Sequence, residues 1–400
     1  MESQLYKLYQ ESIILLQRLT TSKGILASTI ASDNYKRIWA RDSIICGIAG
    51  ILVEDNTIIE GLKTSLLTLA KYQNKQGVIP SNVLEKDDDT NLSYGSLVGR
   101  VDTNTWFIVG ACLYYLNTKD TSTWEFLKPI IQKARVYLKN IEFNDNGWVY
   151  TPLSGNWADE YPIHGYTLYD NCLRIWGESL WLRLNNENND ELNKIKDKTA
   201  INFWPLKDHS GNQIYQKSSY EKACSKSTSH FCSFILPGIY NTRFDASGNA
   251  LALLSFKLNT TQKTSLSKFI EKLNTQISKS LIPAFWPVIQ ESDNDWHYIE
   301  GNYSYDFKNK PFYFQNGGIW PVWMGLFCLG LANNDLTEEV QSIISDFESV
   351  TKNPDWDFQE YISSNSLQLK GKTQMGFTAS GIVFMYHALK DDSYKLKLGL

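Results

Sequence analysis

The sequence predicts an all-α protein, an (α/α)6 toroid of about twelve helices. Helical periodicity runs through most of the chain, and Gly- or Asn-rich loops interrupt it at fairly regular intervals. Strand-like alternation is short and local, without the strand–helix alternation that indicates a parallel sheet. The unusual polar and aromatic residues fall in the loops, which a closed ring of helical hairpins gathers at one mouth. A superhelical stack or two helical bundles would fit the same number of helices.

Twelve segments have helical periodicity, and some begin with capping residues such as Thr121 and Thr260. The predicted helices cover residues 4–20, 42–54, 57–74, 103–117, 121–141, 168–186, 190–202, 245–257, 260–280, 318–332, 336–350 and 374–390. No Pro-, Ser- or charge-rich linker divides the chain. We therefore expect one domain over residues 1–400, with the irregular stretch 203–240 as a possible inserted loop region.

Charge and hydropathy exclude several classes of partner. The chain has 39 Lys and Arg against 43 Asp and Glu, which gives no basic footprint for nucleic acid or an anionic membrane. The longest uncharged apolar run, residues 317–332, is shorter than the roughly 20 residues of a spanning helix. The amino terminus lacks the basic and apolar segments of a signal peptide, so we expect a cytoplasmic protein. Oligomeric state has no signature in the sequence.

The six cysteines are scattered through apolar contexts without a CxxC pair, which predicts reduced, buried thiols. Cys224, His230 and Cys232 lie close together in the sequence, but no second ligand pair follows them. We expect neither a metal site nor an organic cofactor.

Aromatic residues suggest the kind of ligand. The chain has 13 Trp, 22 Tyr and 18 Phe, and many of them stand beside Gly, Asn, Asp or Pro rather than inside apolar runs. Tryptophan and tyrosine in polar company suit surfaces that bind flat, partly apolar ligands such as sugars. We therefore expect a small carbohydrate as the substrate.

Five loop regions combine acids, amides and aromatics: residues 37–43, 76–82 with 99–107, 155–166, 313–323 and 355–361. Each has an ordinary structural interpretation, such as a helix cap at Asp42 or Asp102 or a solvated acidic loop at 159–160. An aromatic neighbour such as Trp157 can also raise a carboxyl pKa enough for proton donation. Two carboxylates on distant loops among aromatics are typical of glycoside hydrolysis, where one donates a proton and the other is nucleophile or base.

Taken in order, these segments resemble the (α/α)6-barrel glycoside hydrolases. The similarity is to the neutral and alkaline invertases (glycoside hydrolase family one hundred) and to the amylo-1,6-glucosidase part of glycogen debranching enzymes. Residues 38–42 resemble the W-x-R-D opening that both groups share, and residues 101–107 are similar to V-D-x-x-L-W-F/W. Residues 244–251 resemble the invertase stretch that ends in L-G-N-L. Residues 315–322 resemble the invertase H-N-G-G-S-W-P-V, and residues 358–361 resemble W-P-E-Y-Y.

The resemblance implies an inverting α-glycosidase. It gives Asp159 the place of the general acid, held protonated, and Glu360 the place of the general base. The substrate-binding residues that it implies, together with those that the loop analysis favours, are Trp39, Arg41, Asp42, Asp102, Trp157, His164, Gln315 and Trp320.

Several alternatives stay open. Glu160 competes with Asp159 for the acid, and Asp357 competes with Glu360 for the base. Both families carry P-x-E downstream of the acid, whereas this chain has residues 167–169 and then Asp170, which leaves the sugar subsites, and therefore sucrose specificity, undecided. The substrate stays open between sucrose and an α-1,6-linked glucose. The rival functions are a sugar epimerase or isomerase on the same barrel and a catalytically silent carbohydrate-binding protein.

Overall fold

The structure is a computed structural model and describes residues 3–30, 35–85, 90–207, 209, 213–226, 229–277 and 279–400. Fifteen helices lie in these ranges, and the strands between them are two to four residues long. The helices are α1 (Gln4–Leu19), α2 (Ala40–Val53), α3 (Asn56–Lys71), α4 (Asp102–Thr118), α5 (Thr121–Asn140), α6 (Leu168–Asn185), α7 (Asp190–Phe203), α8 (Lys217–Ser225), α9 (Ala246–Ser255), α10 (Thr260–Ile277), α11 (His297–Glu300), α12 (Pro321–Asn333), α13 (Thr337–Thr351), α14 (Gly376–Lys390) and α15 (Ser393–Leu398).

The strands form small antiparallel sheets in the connections between helices. They are β1 (Thr20–Thr21), β2 (Gly24–Ile25), β3 (Ile38–Trp39), β4 (Asn82–Glu85), β5 (Thr90–Ser93), β6 (Tyr166–Thr167), β7 (Phe234–Leu236), β8 (Ile239–Asn241), β9 (Phe244–Asp245), β10 (Phe285–Trp286), β11 (Tyr361–Ile362) and β12 (Leu369–Lys370). Three sheets are pairs, β1-β2, β10-β9 and β11-β12, and two are triplets, β3-β4-β5 and β6-β7-β8.

Within the described ranges, an inner ring is formed by α2, α4, α6, α9, α12 and α14. Each of these helices packs on the next, and α14 packs back on α2, so the ring closes. The inner helices are apolar around most of their circumference, and every residue of α12 from Pro321 to Asn333 is buried. A helix that is hydrophobic on all sides belongs inside a protein rather than at its surface.

The outer helices are amphipathic and cover the inner ring. In α10, the buried residues Leu266, Ile270, Leu273 and Ile277 make a single stripe at helical spacing. α1 packs on α14, α3 on α2, α5 on α4, α7 on α6 and α13 on α12. The predicted (α/α)6 toroid of about twelve helices is therefore confirmed, with α8, α11 and α15 as short additional helices.

Several helix starts differ from the sequence prediction by a few residues. The predicted helix 318–332 begins at Pro321, because Trp320 has an extended backbone and proline favours the first helical position. The predicted helix 42–54 begins two residues earlier, at Ala40, so that Asp42 lies inside its first turn. The described part of 203–240 contains α8, β7 and β8, and β7 pairs with β6. The single-domain organisation stays a prediction.

The segments that lead into the inner helices meet at one end of the barrel. β3 leads into α2, β6 into α6 and β9 into α9, and the segments before α12 and α14 are joined by a bridge between Ile319 and Ile362. The backbone N–H of Val101, just before α4, donates to the carbonyl of Gly155 in the loop before α6 at 2.7 Å. We call this end of the barrel the mouth.

Three further observations concern ligands and membranes. Within the described residues, no helix combines the length and apolar character needed to cross a membrane. The same residues hold no group of three or more His, Cys, Asp or Glu side chains able to bind a metal. All six cysteines are unpaired, and only Cys224 is partly exposed. The ring of His230 packs against those of Phe244 and Phe269.

Candidate active site

The predicted site residues lie on the loops and first helical turns of the mouth. Arg41 and Asp42 are in the first turn of α2, and Asp102 is the first residue of α4. Asp159 is on the loop before α6, and Glu360 directly precedes β11. Carboxylates at helix starts are favoured by the positive end of the helix dipole, so the fold itself places Asp42 and Asp102 here.

Asp159 is held by a buried cation. Its Oδ2 accepts from Arg100 Nη2 at 2.6 Å, and its Oδ1 accepts from Gln315 Nε2 at 3.2 Å. The Arg100 side chain is 6% exposed, whereas that of Asp159 is 36% exposed. Arg100 is itself anchored by the carbonyl of Ser154 and by Ser96 Oγ. The carboxyl group of Asp159 is thus fixed in orientation while one face stays open to the mouth.

Glu160 contacts the loop before α12. Its Oε1 accepts from the backbone N–H of Ser304 at 3.3 Å, and its backbone carbonyl accepts from Asn309 Nδ2 at 2.7 Å. Its Oε2 is buried without a hydrogen-bond partner among the described residues. Burial, and then the charge of Asp159, raise the pKa of Glu160. Glu160 therefore links two loops of the mouth. Because its pKa is raised, it is also suited to donate a proton, so Glu160 stays an alternative to Asp159 as the general acid.

Glu360 is buried and held by neutral donors. Tyr35 Oη donates to Oε1 at 2.8 Å, and the backbone N–H of Lys372 lies 3.3 Å from Oε2. The residue is 8% exposed. Burial raises the pKa of Glu360, and the hydrogen bond from Tyr35 opposes that rise. A carboxylate made more basic in this way is suited to accept a proton from water.

Asp357 lies on another face. It lines a groove of about 210 Å³ together with Glu11, Leu15 and Arg18 of α1. Among the described residues, its side chain accepts one long hydrogen bond, of 3.5 Å, from Gln374 Nε2. Its position against the outer helix α1 favours Glu360 over Asp357 for the base.

A charged cluster lies between the two catalytic candidates. Arg41 Nη1 bonds Asp102 Oδ2 at 3.2 Å, and its Nη2 lies 3.7 Å from Asp42 Oδ2. The Tyr169 hydroxyl, which sequence reasoning missed, also donates to Asp102 Oδ2, at 3.2 Å. Burial raises the pKa of Asp42 to about 6, against the opposing effect of Arg41.

Three polar atoms of this cluster are buried without a hydrogen-bond partner among the described residues: Arg41 Nε, Asp42 Oδ2 and Asp102 Oδ1. Buried polar groups are nearly always paired, so unpaired ones grouped at a mouth suggest that a ligand completes them. A donor beside two acceptors suits the hydroxyl groups of a sugar ring.

The acid, the base and the cluster act on one another electrostatically. After burial and Glu360, the charges of Asp42 and Asp159 also raise the pKa of the Tyr35 phenol. Burial lowers the pKa of Arg41, but nearby charges, including that of Asp159, raise it. Three loops that are distant in the sequence therefore bring their charged groups within electrostatic reach of one another.

Two of the three predicted wall tryptophans are nearly buried. Trp157 is 4% and Trp320 is 5% exposed. The indole N–H of Trp157 donates to Ser247 Oγ at 2.7 Å, and that of Trp320 donates to the Phe314 carbonyl at 3.0 Å. Their rings meet at 5.5 Å and form the floor beneath the loops, whereas Trp39 is half-buried. The floor can offer only ring edges to a ligand.

His164 is not joined to either catalytic candidate by a hydrogen bond among the described residues. Its ring stacks on Phe234 of β7 at 5.3 Å, and burial lowers its pKa. Gln315, by contrast, is central: besides Asp159 it bonds the Trp157 carbonyl, and its Oε1 accepts from the backbone N–H of Glu160 at 3.1 Å.

Sequence reasoning also missed Arg100, Tyr35 and the role of Asp170. Arg100 stands in the Gly-Arg-Val-Asp segment before α4, so its place beside a candidate motif was the available signal. Asp170 Oδ2 accepts from Thr151, Asn156 and Thr167 at 2.7–2.9 Å, which fastens the acid-bearing loop to α6. Burial, and then the charge of Asp102, raise the pKa of Asp170 to about 7.

Comparison with known sequences points to one family. The family model of the alkaline and neutral invertases matches residues 214–390. The probable chloroplastic alkaline/neutral invertase A of Arabidopsis thaliana is 21% identical over 86% of this chain and 63% of its own length. The mitochondrial alkaline/neutral invertase C of the same plant is 26% identical over 36% of this chain and 21% of its own. The chain thus spans less than two thirds of the curated relatives that it matches.

Solved structures share the fold at low identity. A mannosylglycerate hydrolase of glycoside hydrolase family GH63 from Thermus thermophilus, in complex with glucose, has a TM-score of 0.63 at 12% identity and covers 94% of this chain and 99% of its own. A rhamnosidase from Klebsiella oxytoca has a TM-score of 0.62 at 12% identity, over 96% of this chain and 64% of its own. The chain therefore has the (α/α)6 toroid fold of these solved structures and is similar in sequence to the alkaline and neutral invertases.

Proposed function

We propose that this chain is an inverting glycoside hydrolase that cleaves an α-glucosidic bond. One observation carries the proposal. Asp159, Glu360 and Asp42 lie within electrostatic reach of Tyr35, and three buried polar atoms of the Arg41, Asp42 and Asp102 cluster have no partner among the described residues. That arrangement supplies an acid, a base and unsatisfied sites for sugar hydroxyls within one mouth.

Asp159 is the proposed acid. Arg100 occupies Oδ2, so Oδ1 is the atom that we assign to donate the proton; among the described residues it accepts the longer bond from Gln315. Oδ1 gives this proton to the glycosidic oxygen as the bond from that oxygen to the anomeric carbon breaks, and the bonding electron pair leaves with the oxygen. The Arg100 guanidinium then stabilises the negative charge that appears on the carboxylate.

Glu360 is the proposed base. It removes a proton from a water molecule whose oxygen attacks the anomeric carbon from the opposite face, so the configuration at that carbon inverts. Inversion requires carboxyl groups about 6.5–9.5 Å apart, which leaves room for the water. Asp42, Asp102 and Arg41 hold the glucosyl unit so that this attack is in line.

Sucrose is the substrate that the sequence relationship favours, since the invertase model matches the half of the chain that contains Gln315 and Glu360. An α-1,6-linked glucose stays the alternative, because residues 38–42 resemble an opening that invertases and debranching enzymes share. Two structures with a similar fold are a mannosylglycerate hydrolase and a rhamnosidase, so the fold alone does not determine the substrate.

The test is a substrate panel with NMR detection of the product anomer. Sucrose, isomaltose, panose and limit dextrin are compared with mannosylglycerate and an aryl rhamnoside. Release of β-glucose as the first product from one of the α-glucosides is the expected result. First release of α-glucose would contradict inversion. Binding without turnover would indicate a silent carbohydrate-binding protein, and an epimerised sugar without hydrolysis would indicate an epimerase.

A further inference from the structure

We propose that Tyr35 is the positioning residue of the base, and that its phenol fixes the Glu360 carboxylate so that one oxygen faces the attacking water. The inference rests on the proposed role of Glu360. Tyr35 lies just before β3, and Glu360 lies 325 positions later, just before β11. The 2.8 Å hydrogen bond between them joins the first loop of the mouth to the last one.

The second oxygen of Glu360 is constrained by the β11-β12 hairpin. The Glu360 N–H donates to the Lys372 carbonyl at 2.8 Å, and the Lys372 N–H approaches Oε2 at 3.3 Å. Gly371 has a φ of +79°, and a Cβ added there would lie 2.6 Å from Glu360 Cβ and would overlap Oε2. The hairpin therefore fits closely around this side chain and needs glycine at that position.

The contacts with Tyr35 and Lys372 give the two carboxylate oxygens of Glu360 different roles. A carboxylate oxygen has two lone-pair sites, and the short phenol bond occupies one of those on Oε1. The amide contact on Oε2 is the longer of the two, at 3.3 Å, so this oxygen is the less tightly held. Oε2 is therefore the atom that we assign to accept the proton of the water, while Oε1 serves as the fixed end.

The phenol is suited to this task because it stays protonated. Burial, and then Glu360, raise the pKa of Tyr35 well above that of an ordinary phenol. The charged and titratable groups that face Glu360 are Tyr35, Lys308, Lys372, Asp42 and Tyr361. Of these side chains, Tyr35 is the one that forms a hydrogen bond with the Glu360 carboxylate among the described residues.

The test compares Tyr35→Phe with the matched control Tyr114→Phe. The Tyr114 hydroxyl also donates to a carboxylate, Asp120 Oδ2 at 2.9 Å, but it lies twelve positions into α4, about 18 Å along the helix from its start at the mouth. Tyr35→Phe is expected to lower kcat about tenfold, with KM changed less than about twofold. Tyr114→Phe is expected to leave both constants unchanged.

The pH profile separates positioning from a merely structural role. The base must be ionised, so kcat/KM rises as the pH passes the pKa of Glu360. Removal of the phenol bond disfavours the ionised form, so Tyr35→Phe should move this acidic limb about half a unit to one unit higher. An unmoved limb with an unchanged kcat would overturn the proposal. A loss confined to KM would overturn it as well, because the phenol would then act on the substrate.

A titration of Glu360 gives a readout that needs no turnover. In protein labelled with ¹³C at the glutamate carboxyl carbons, Glu360→Gln identifies the Glu360 signal by its loss. Its midpoint should lie at a higher pH in Tyr35→Phe than in the wild type. An identical midpoint would overturn the positioning role even if the enzyme is active. If the wild type hydrolyses none of the panel sugars, the proposed function is refuted, whether or not the midpoint of the Glu360 titration differs between the two proteins.

Discussion

The proposed acid and the proposed base are held by different kinds of partner. Asp159 is partly exposed and is fixed by the buried guanidinium of Arg100, whereas Glu360 is buried and receives hydrogen bonds from a phenol and a peptide N–H. A cation stabilises the charge that forms when the acid releases its proton. Neutral donors make the printed hydrogen bonds to the base, and burial still raises its pKa although the charges of Lys308 and Lys372 oppose that rise. The difference between the two sides therefore matches the opposite directions in which they move a proton.

The base side should show the largest effect. Glu360→Gln keeps the shape and removes the proton acceptor, so kcat is expected to fall about a thousandfold on the best panel substrate. Asp357→Asn is the matched control, because it removes an acid from the same loop that faces α1. Steady-state kinetics with purified variants measure both. A reversed order, with Asp357→Asn the inactive variant, would transfer the role of base to Asp357.

On the acid side, Arg100→Gln should lower kcat about ten- to a hundredfold. The amide cannot stabilise the charge left on Asp159, although it can still accept and donate hydrogen bonds. Arg135→Gln breaks a similar ion pair with Glu178 on the outside of the barrel and serves as control. Kinetics together with the melting temperature separate catalysis from folding. Equal losses in the two variants would argue against a role for Arg100 beyond stability.

Asp170 should show the smallest effect on activity. Like Glu360 it is buried and held by neutral donors, but its bonds fasten a loop. Its pKa is raised from 3.8 to about 7, so the folded state binds more protons than the unfolded state between these values. The contribution of Asp170 to stability is therefore greatest at low pH and is lost as the pH rises to about 7.

Asp170→Asn keeps the acceptor oxygen and removes the titrating charge. The variant should gain a few degrees of melting temperature relative to the wild type at pH 8, and less at pH 5, with kcat changed less than about threefold. Thermal unfolding at the two pH values measures the difference. A variant that is destabilised more at pH 8 than at pH 5 would contradict the assignment of a strained, buried charge.

The ring of helices could be predicted from the sequence, and the starts of its inner helices were predicted to within three residues. Periodicity distinguishes α12, which is apolar on all sides, from the amphipathic α10, and Asp42 and Asp102 stand at helix starts where local rules place acids. These features depend on residues near each other in the chain, and this is why pattern reasoning reached them.

The hydrogen-bond partners of the two carboxylates could not be predicted from local sequence patterns. Tyr35 and Glu360 are 325 positions apart, and Arg100 and Asp159 are 59 apart, so their pairing exists only after the ring has closed. The sequence-based expectation of an aromatic wall beside the acid did not foresee the Arg100 ion pair. Trp157 and Trp320 are buried because Ser247 and the Phe314 carbonyl satisfy their indole N–H groups.

The most direct measurement of the central claim uses α-glucosyl fluoride, whose leaving group needs no proton from the enzyme. The account predicts that Asp159→Asn hydrolyses the fluoride at close to the wild-type rate, although it has lost most of its activity on the natural α-glucoside, and that Glu360→Gln loses both activities. Glu160→Gln should behave like the wild type on both substrates. If Glu160→Gln instead keeps only the fluoride activity, or if Asp159→Asn loses both activities, Asp159 is not the acid.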